Sequence, residues 1–185
     1  MLKRTAILFF LIFLNREMSS QVSSIYIAET RLILQSKDIK GEPFTPFIEF
    51  AYMVLNTATG EFKLTADLYN IRTGDAYIDS TIKLGGQQPI IYKGNIGENL
   101  LLLNQQVNDE KTYTMQGQLM YNGISTPALA EFDPINFGEK NDPKNYRMNF
   151  KLTLDSTKIT LIGLETKIHN QLVFEIIDGK LNTQP

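Results

Sequence analysis

The chain has 185 residues, enough for one domain with a substantial core or at most two small ones, and the single domain is the simpler reading. Its formal charge is −2 and no cluster of five or more Lys or Arg occurs, so the electrostatic footprint of a nucleic-acid binder is lacking. There is no cysteine, which excludes disulfides, thiolate metal sites, a thiol nucleophile and a lipid-modified cysteine. An exported chain of this composition depends on its core alone.

Residues 1–14 carry Lys3 and Arg4 and then an apolar run from Ala6 to Leu14, the pattern of a secretory signal. Such a run is too short to cross a bilayer as a helix. The expectation is a signal peptide over 1–20, with cleavage after Ser20 or Ser24. The remaining 21–185 would form a single periplasmic or secreted domain with no integral membrane span. Ser24–Gln35 is rich in β-branched and long apolar residues and predicts one strand or two short ones. Gly41, Pro43 and Pro46 make 37–46 a loop.

Phe47–Leu55 fits either a strand or a helix face by spacing, and its length, its aromatics and the Thr59-Gly60 turn favour a strand. Phe62, Leu64, Ala66 and Leu68 alternate with Glu61, Lys63, Thr65 and Asp67, which predicts a strand with one wet face. Residues 72–89 are broken by Gly74, Gly85, Gly86 and Pro89, and predict irregular chain with one helical turn. Short strands follow over Ile90–Ile96 and Asn99–Leu103, then a polar loop.

Thr112–Phe132 is the clearest hairpin, because Asn122-Gly123 suits a type I′ turn, which needs positive φ at both central residues. The predicted register puts Tyr121 opposite Ile124, Leu119 opposite Thr126, Gly117 opposite Ala128, Met115 opposite Ala130 and Tyr113 opposite Phe132. Pro127 then falls opposite Gln118 in a non-hydrogen-bonded pair, so its missing N–H points away from the hairpin. The next strand must bulge or be absent there. After a polar connection over 133–145, Tyr146–Leu154 alternates cleanly. Further strands are predicted over Ile159–Ile162 and about Gln171–Ile177, the last ending in an Asp178-Gly179 turn.

About eight strands with little helix predict an all-β fold, a single antiparallel eight-stranded barrel with apolar residues inside. Its interior would be wide enough either to be filled by side chains or to hold one small ligand. The hairpin is poor in volume around Gly117, Thr126, Ala128 and Ala130, which leaves room for a hollow. Large residues from facing strands, Phe150 or Phe174, would be the alternative filling. A tunnel floored by these small residues would be lined by Phe62, Leu64, Met115, Leu119, Phe150, Leu152, Leu172 and Phe174.

The hairpin also carries a likeness. Gly117, Leu119, Gly123, Ile124, Ser125 and Pro127 resemble the hairpin of the YceI-like family. Ile71-Arg72-Thr73-Gly74 with Asp79, Lys83, Leu84 and the Pro89–Gly94 segment is similar to its threonine-glycine region, and Ile168–Leu181 to its final strand. The chain departs from the family at Gly85-Gly86-Gln87-Gln88, where an aromatic pair is usual, and has no tryptophan in the first strand. The resemblance implies a lipocalin-like barrel around a long isoprenoid chain, in some members with a quinone-type head, as bound ligand rather than cofactor. It implies carriage or storage of that lipid in the cell envelope and no catalysis; a homodimer is compatible with it.

Catalytic signals are weak. His169 is the one histidine, and no G-x-S-x-G motif accompanies it, so it reads as a surface or strand-end residue. Zinc sites need several His or Cys ligands, and the acidic residues over 133–142 form no calcium loop. The other class of function open to this sequence is a secreted interaction module with a solid barrel, binding protein or glycan through loops 37–46 and 133–145.

Overall fold

The computed structural model describes residues 25–97, 112–135 and 145–183, which form one antiparallel sheet closed on itself. The strands are β1 (Ile25–Lys37), β2 (Pro43–Phe44), β3 (Phe47–Asn56), β4 (Glu61–Asp67), β5 (Ile71–Arg72), β6 (Pro89–Asn95), β7 (Tyr113–Tyr121), β8 (Ile124–Ile135), β9 (Asn145–Asp155) and β10 (His169–Thr183). Going round, the order is β1-β3-β4-β6-β7-β8-β9-β10, and β10 pairs with β1 to close an eight-stranded barrel. The two-residue strands β2 and β5 only extend the rims of β1 and β3. The expected all-β barrel is therefore the observed fold.

The hairpin register is as predicted at all five pairs, although Ile124 at the rim is exposed, and Asn122 and Gly123 have φ of 47° and 74°. Pairing of β8 with β9 begins only at Ala130, opposite Leu152. Residues 124–129 thus have no β9 neighbour, which is the absence that Pro127 demands.

β3 explains its own ambiguous spacing. Thr30 faces Ala51 and Leu32 faces Ile48, so two steps on β1 match three on β3. The extra residue is a bulge at Glu49-Phe50, which turns both Ile48 and Ala51 inward and leaves Phe50 exposed. Three other expectations are corrected. The single helical turn is a nine-residue helix, α1 (Ala76–Leu84), because Asp75 caps the amides of Tyr77 and Ile78 and Gly85 ends it. Ile159–Ile162 is not a strand: Ile159 and Leu161 are buried as part of a plug instead of being paired, and Ile162 is exposed. Asp178-Gly179 is no turn but a register shift within β10, which stays paired to β9 through Asn182.

The expected signal peptide, the Asn99–Leu103 strand and most of the 133–145 connection lie outside the described residues. Among the described residues no helix is long and apolar enough to cross a membrane.

Candidate functional site

The barrel has two ends. At one, the β7–β8 turn and the start of β6 meet α1 and the segment 156–168. Ile82 of α1, Leu161 and Leu164 are buried there with Leu68 and Ile71. Gly163 has φ +85°, and a Cβ on it would lie 2.7 Å from Ile82 Cγ1, so only glycine permits this approach. A polar latch ties the pieces together. The Tyr121 hydroxyl donates to Gln88 Oε1 at 2.7 Å and accepts from the Ile162 amide at 3.0 Å. Gln88 Nε2 donates to the Ile82 carbonyl at 3.4 Å, and the Gln88 amide donates to Asp67 Oδ1. Burial pushes the Tyr121 phenol above its usual pKa, against the Ile162 hydrogen bond, which lowers it. This end is stoppered.

Thr73 and Asp79, both within the threonine-glycine region, hold the approach to α1. The Thr73 hydroxyl donates to Asp79 Oδ1 at 2.6 Å and its amide to the same oxygen at 2.9 Å.

Of the residues expected to line a tunnel, Phe62, Leu64, Met115, Leu119, Phe150, Leu152, Leu172 and Phe174 are all buried in one core, together with Ala130. Gly117, Thr126 and Ala128 are partly buried. The residue that the sequence reading missed is Tyr92. It is fully buried on β6, where it alternates with Ile90 and Gly94, and that alternation was the available signal.

The space that Gly117 leaves is not empty. A Cβ there would meet the Lys93 carbonyl oxygen and lie 2.6 Å from both Cζ and the hydroxyl of Tyr92. The Tyr92 ring therefore lies in the trough over the Gly94/Gly117 pair, and its hydroxyl donates to the Met115 carbonyl at 2.7 Å. Burial raises its pKa to about 12, opposed by a backbone hydrogen bond with Ala130. The filling comes from the adjacent strand rather than from Phe150 or Phe174 alone.

Phe62 and Phe150 stack with ring centroids 5.4 Å apart, and Tyr92 closes on Phe150 at 5.5 Å. β4 and β9 are four strands apart in either direction, so this stack spans the full diameter of the barrel. The half of the interior toward the end where β3 turns into β4, in which Phe62 faces Leu55, also holds Met53, Met115 and Met148 with the stacked pair Tyr113 and Phe132. Met53 is seated against Gly179 and Met115 against Gly94.

On the outer wall, a groove of about 620 Å³ crosses β3, β4, β6 and β7 and reaches Phe62, Gly94 and Gly117. A second, of about 560 Å³, lies between 35–41 and β10 and contains His169, which is exposed opposite Lys37. Among the described residues no group of three His, Cys, Asp or Glu could hold a metal.

No protein-family model matches the chain, and no curated protein matches it. Among solved structures, a polyisoprenoid-binding domain from Saccharophagus degradans, described as implicated in plant cell wall breakdown, has the same fold. The TM-score is 0.67 at 12% identity, covering 88% of this chain and 99% of that one.

Proposed function

We propose that this protein is a non-catalytic binder of a long apolar, isoprenoid-type lipid, which it carries or stores in the cell envelope as a periplasmic or secreted protein. The observation that carries this reading is the predominantly apolar core that the described residues form inside a closed barrel, with three methionines seated on or near glycines in one half of it. Methionine is unbranched and polarizable and repacks readily, so this half can yield to an apolar guest without exposing polar groups. The likeness to a polyisoprenoid-binding domain supports the same class of ligand. Burial of the lipid would contribute about 25 cal/mol per Å² of apolar surface before ordering costs. The apolar, positively preceded run over 6–14 supports export.

A second reading, the solid interaction module, is favoured by the Phe62/Phe150 stack across the bore. Native mass spectrometry of protein purified from bacteria, followed by solvent extraction, separates the two. A lipid adduct that extraction removes is the expected result. A bare mass, with no lipid taken up on incubation with isoprenoid alcohols, would establish the module instead.

A further inference from the structure

We infer that the stoppered end of the barrel is a docking face for a phospholipid bilayer that bears anionic headgroups, whatever the barrel itself holds. The three most exposed large apolar side chains among the described residues, Leu84 at 89%, Tyr77 at 80% and Ile39 at 66%, all lie at this end. Tyr77 and Leu84 are seven positions apart and share the outer face of α1, whose inner face buries Ile82. Exposed Ile162 is next to Gly163, the residue packed on Ile82. Exposed Ile124 is the cross-strand partner of Tyr121, whose hydroxyl holds the Ile162 amide. Ile39 sits in the turn between β1 and β2, where the end of β1 adjoins the start of β10. The described turn at the opposite end, residues 56–60, contains only Asn, Thr, Ala and Gly.

Their arrangement fits a fluid surface better than a protein partner. A protein interface has a continuous apolar centre, whereas here single apolar side chains stand on four separate segments with polar residues between them. Such tips can each enter the headgroup region of a bilayer, and a tyrosine suits its boundary. Charge points to the same occupant. Lys37 and Lys40 flank Ile39, Lys83 precedes Leu84, and none of the three has an ion pair among the described residues. The carboxylates near the tips are turned onto the protein's own donors. Asp38 accepts the amides of Lys40 and Glu42, Asp75 those of Tyr77 and Ile78, Asp79 the Thr73 hydroxyl, and Glu165 the Gly163 amide. Apart from Glu42, the charges beside the tips that lack a partner are therefore positive, complementary to lipid phosphates.

The chain has no tryptophan, so a single indole placed at a tip reports that tip alone. Full-length Leu84→Trp and Ile39→Trp are mixed with vesicles of phosphatidylcholine and phosphatidylglycerol. Their emission should shift to the blue and be quenched by brominated acyl chains. Ile177→Trp, at an exposed position on the wall of β10 away from this end, should show neither. The apolar run over 6–14 is common to every variant and cancels in the comparison. In co-sedimentation, Ile39→Ser with Leu84→Ser should lower partitioning about tenfold. Pure phosphatidylcholine should retain the wild type about tenfold less well than the mixed vesicles. The proposal is overturned if the wild type binds no vesicles, if tip and wall indoles behave alike, if the serine variant partitions unchanged, or if both vesicle types bind equally. A dimer of the free protein that the serine substitutions dissociate would also overturn it, and would assign the face to a second copy.

Discussion

The two halves of the barrel interior are held by different physics. The stoppered end, besides the close Gly163 contact with Ile82, is fixed by directional bonds: Tyr121, Gln88 and the Ile162 amide satisfy one another in the buried plug. The methionine half is fixed by shape: bare glycines receive a ring and two thioethers from other strands. A hydrogen bond lost from the first costs about the desolvation of one group. An atom added at Gly117 in the second has nowhere to go, since the Lys93 carbonyl lies against it, whereas at Gly94 and Gly179 the first obstacle is a methionine side chain. The half with the adaptable methionines thus also has one wall position, Gly117, that cannot accept a new side-chain atom.

Gly117→Ala tests this most severely. The new Cβ meets the Lys93 carbonyl as well as the Tyr92 ring, and backbone cannot rotate away, so a loss of about 3 kcal/mol is expected. That exceeds the fraction of a kcal/mol that alanine gains by restricting the unfolded chain. Urea unfolding gives the value, and a neutral substitution would show the trough to be loose.

Next in size is the alkaline limb of stability. Folded Tyr92 keeps its proton to about pH 12, whereas an unfolded phenol loses it near pH 10. Between those values the unfolded state binds fewer protons, so stability falls as pH rises, by about 2–3 kcal/mol in all. Tyr92→Phe should flatten most of that fall and leave the smaller part due to Tyr121. An unchanged limb in the variant would mean that the phenol is not sealed from solvent.

The smallest effect is expected at the latch. Tyr121→Phe removes the donor to Gln88 and the acceptor of the Ile162 amide, at about 1–2 kcal/mol, with faster hydrogen exchange at Ile162 as the local signature. Should this variant prove costlier than Gly117→Ala, the assignment of bonds to one half and shape to the other would be reversed.

What could be read from the sequence was local. An Asn-Gly turn determines its own backbone and, by counting, every pair of the hairpin. Pro127 carried that count one strand further, because a missing N–H is a statement about the neighbour on that side. Alternation identified Phe62, Leu64, Phe150 and Leu152 as inward, and all are buried.

Alternation could not tell how inward groups from separate strands share the volume. Gly117 by itself signals a void, and only the three-dimensional neighbourhood shows that Tyr92, adjacent in space but 25 positions earlier, lies in it. Ile159 and Leu161 looked like strand residues for the related reason that burial in a plug and burial in a sheet select the same side chains. In β3 the bulge shifted the period, so the apolar spacing fitted a helix face as well as a strand.

The unpaired stretch 124–129 of β8 has a consequence for self-association. An open sheet edge offers a row of donors and acceptors to any extended chain, the usual starting point for strand-by-strand aggregation. Here the outward positions are Ser125, Pro127 and Leu129, and the middle one has no hydrogen to give. An incoming strand would meet a break in the ladder halfway along. The residue that ends the pairing with β9 thereby also guards the gap it creates.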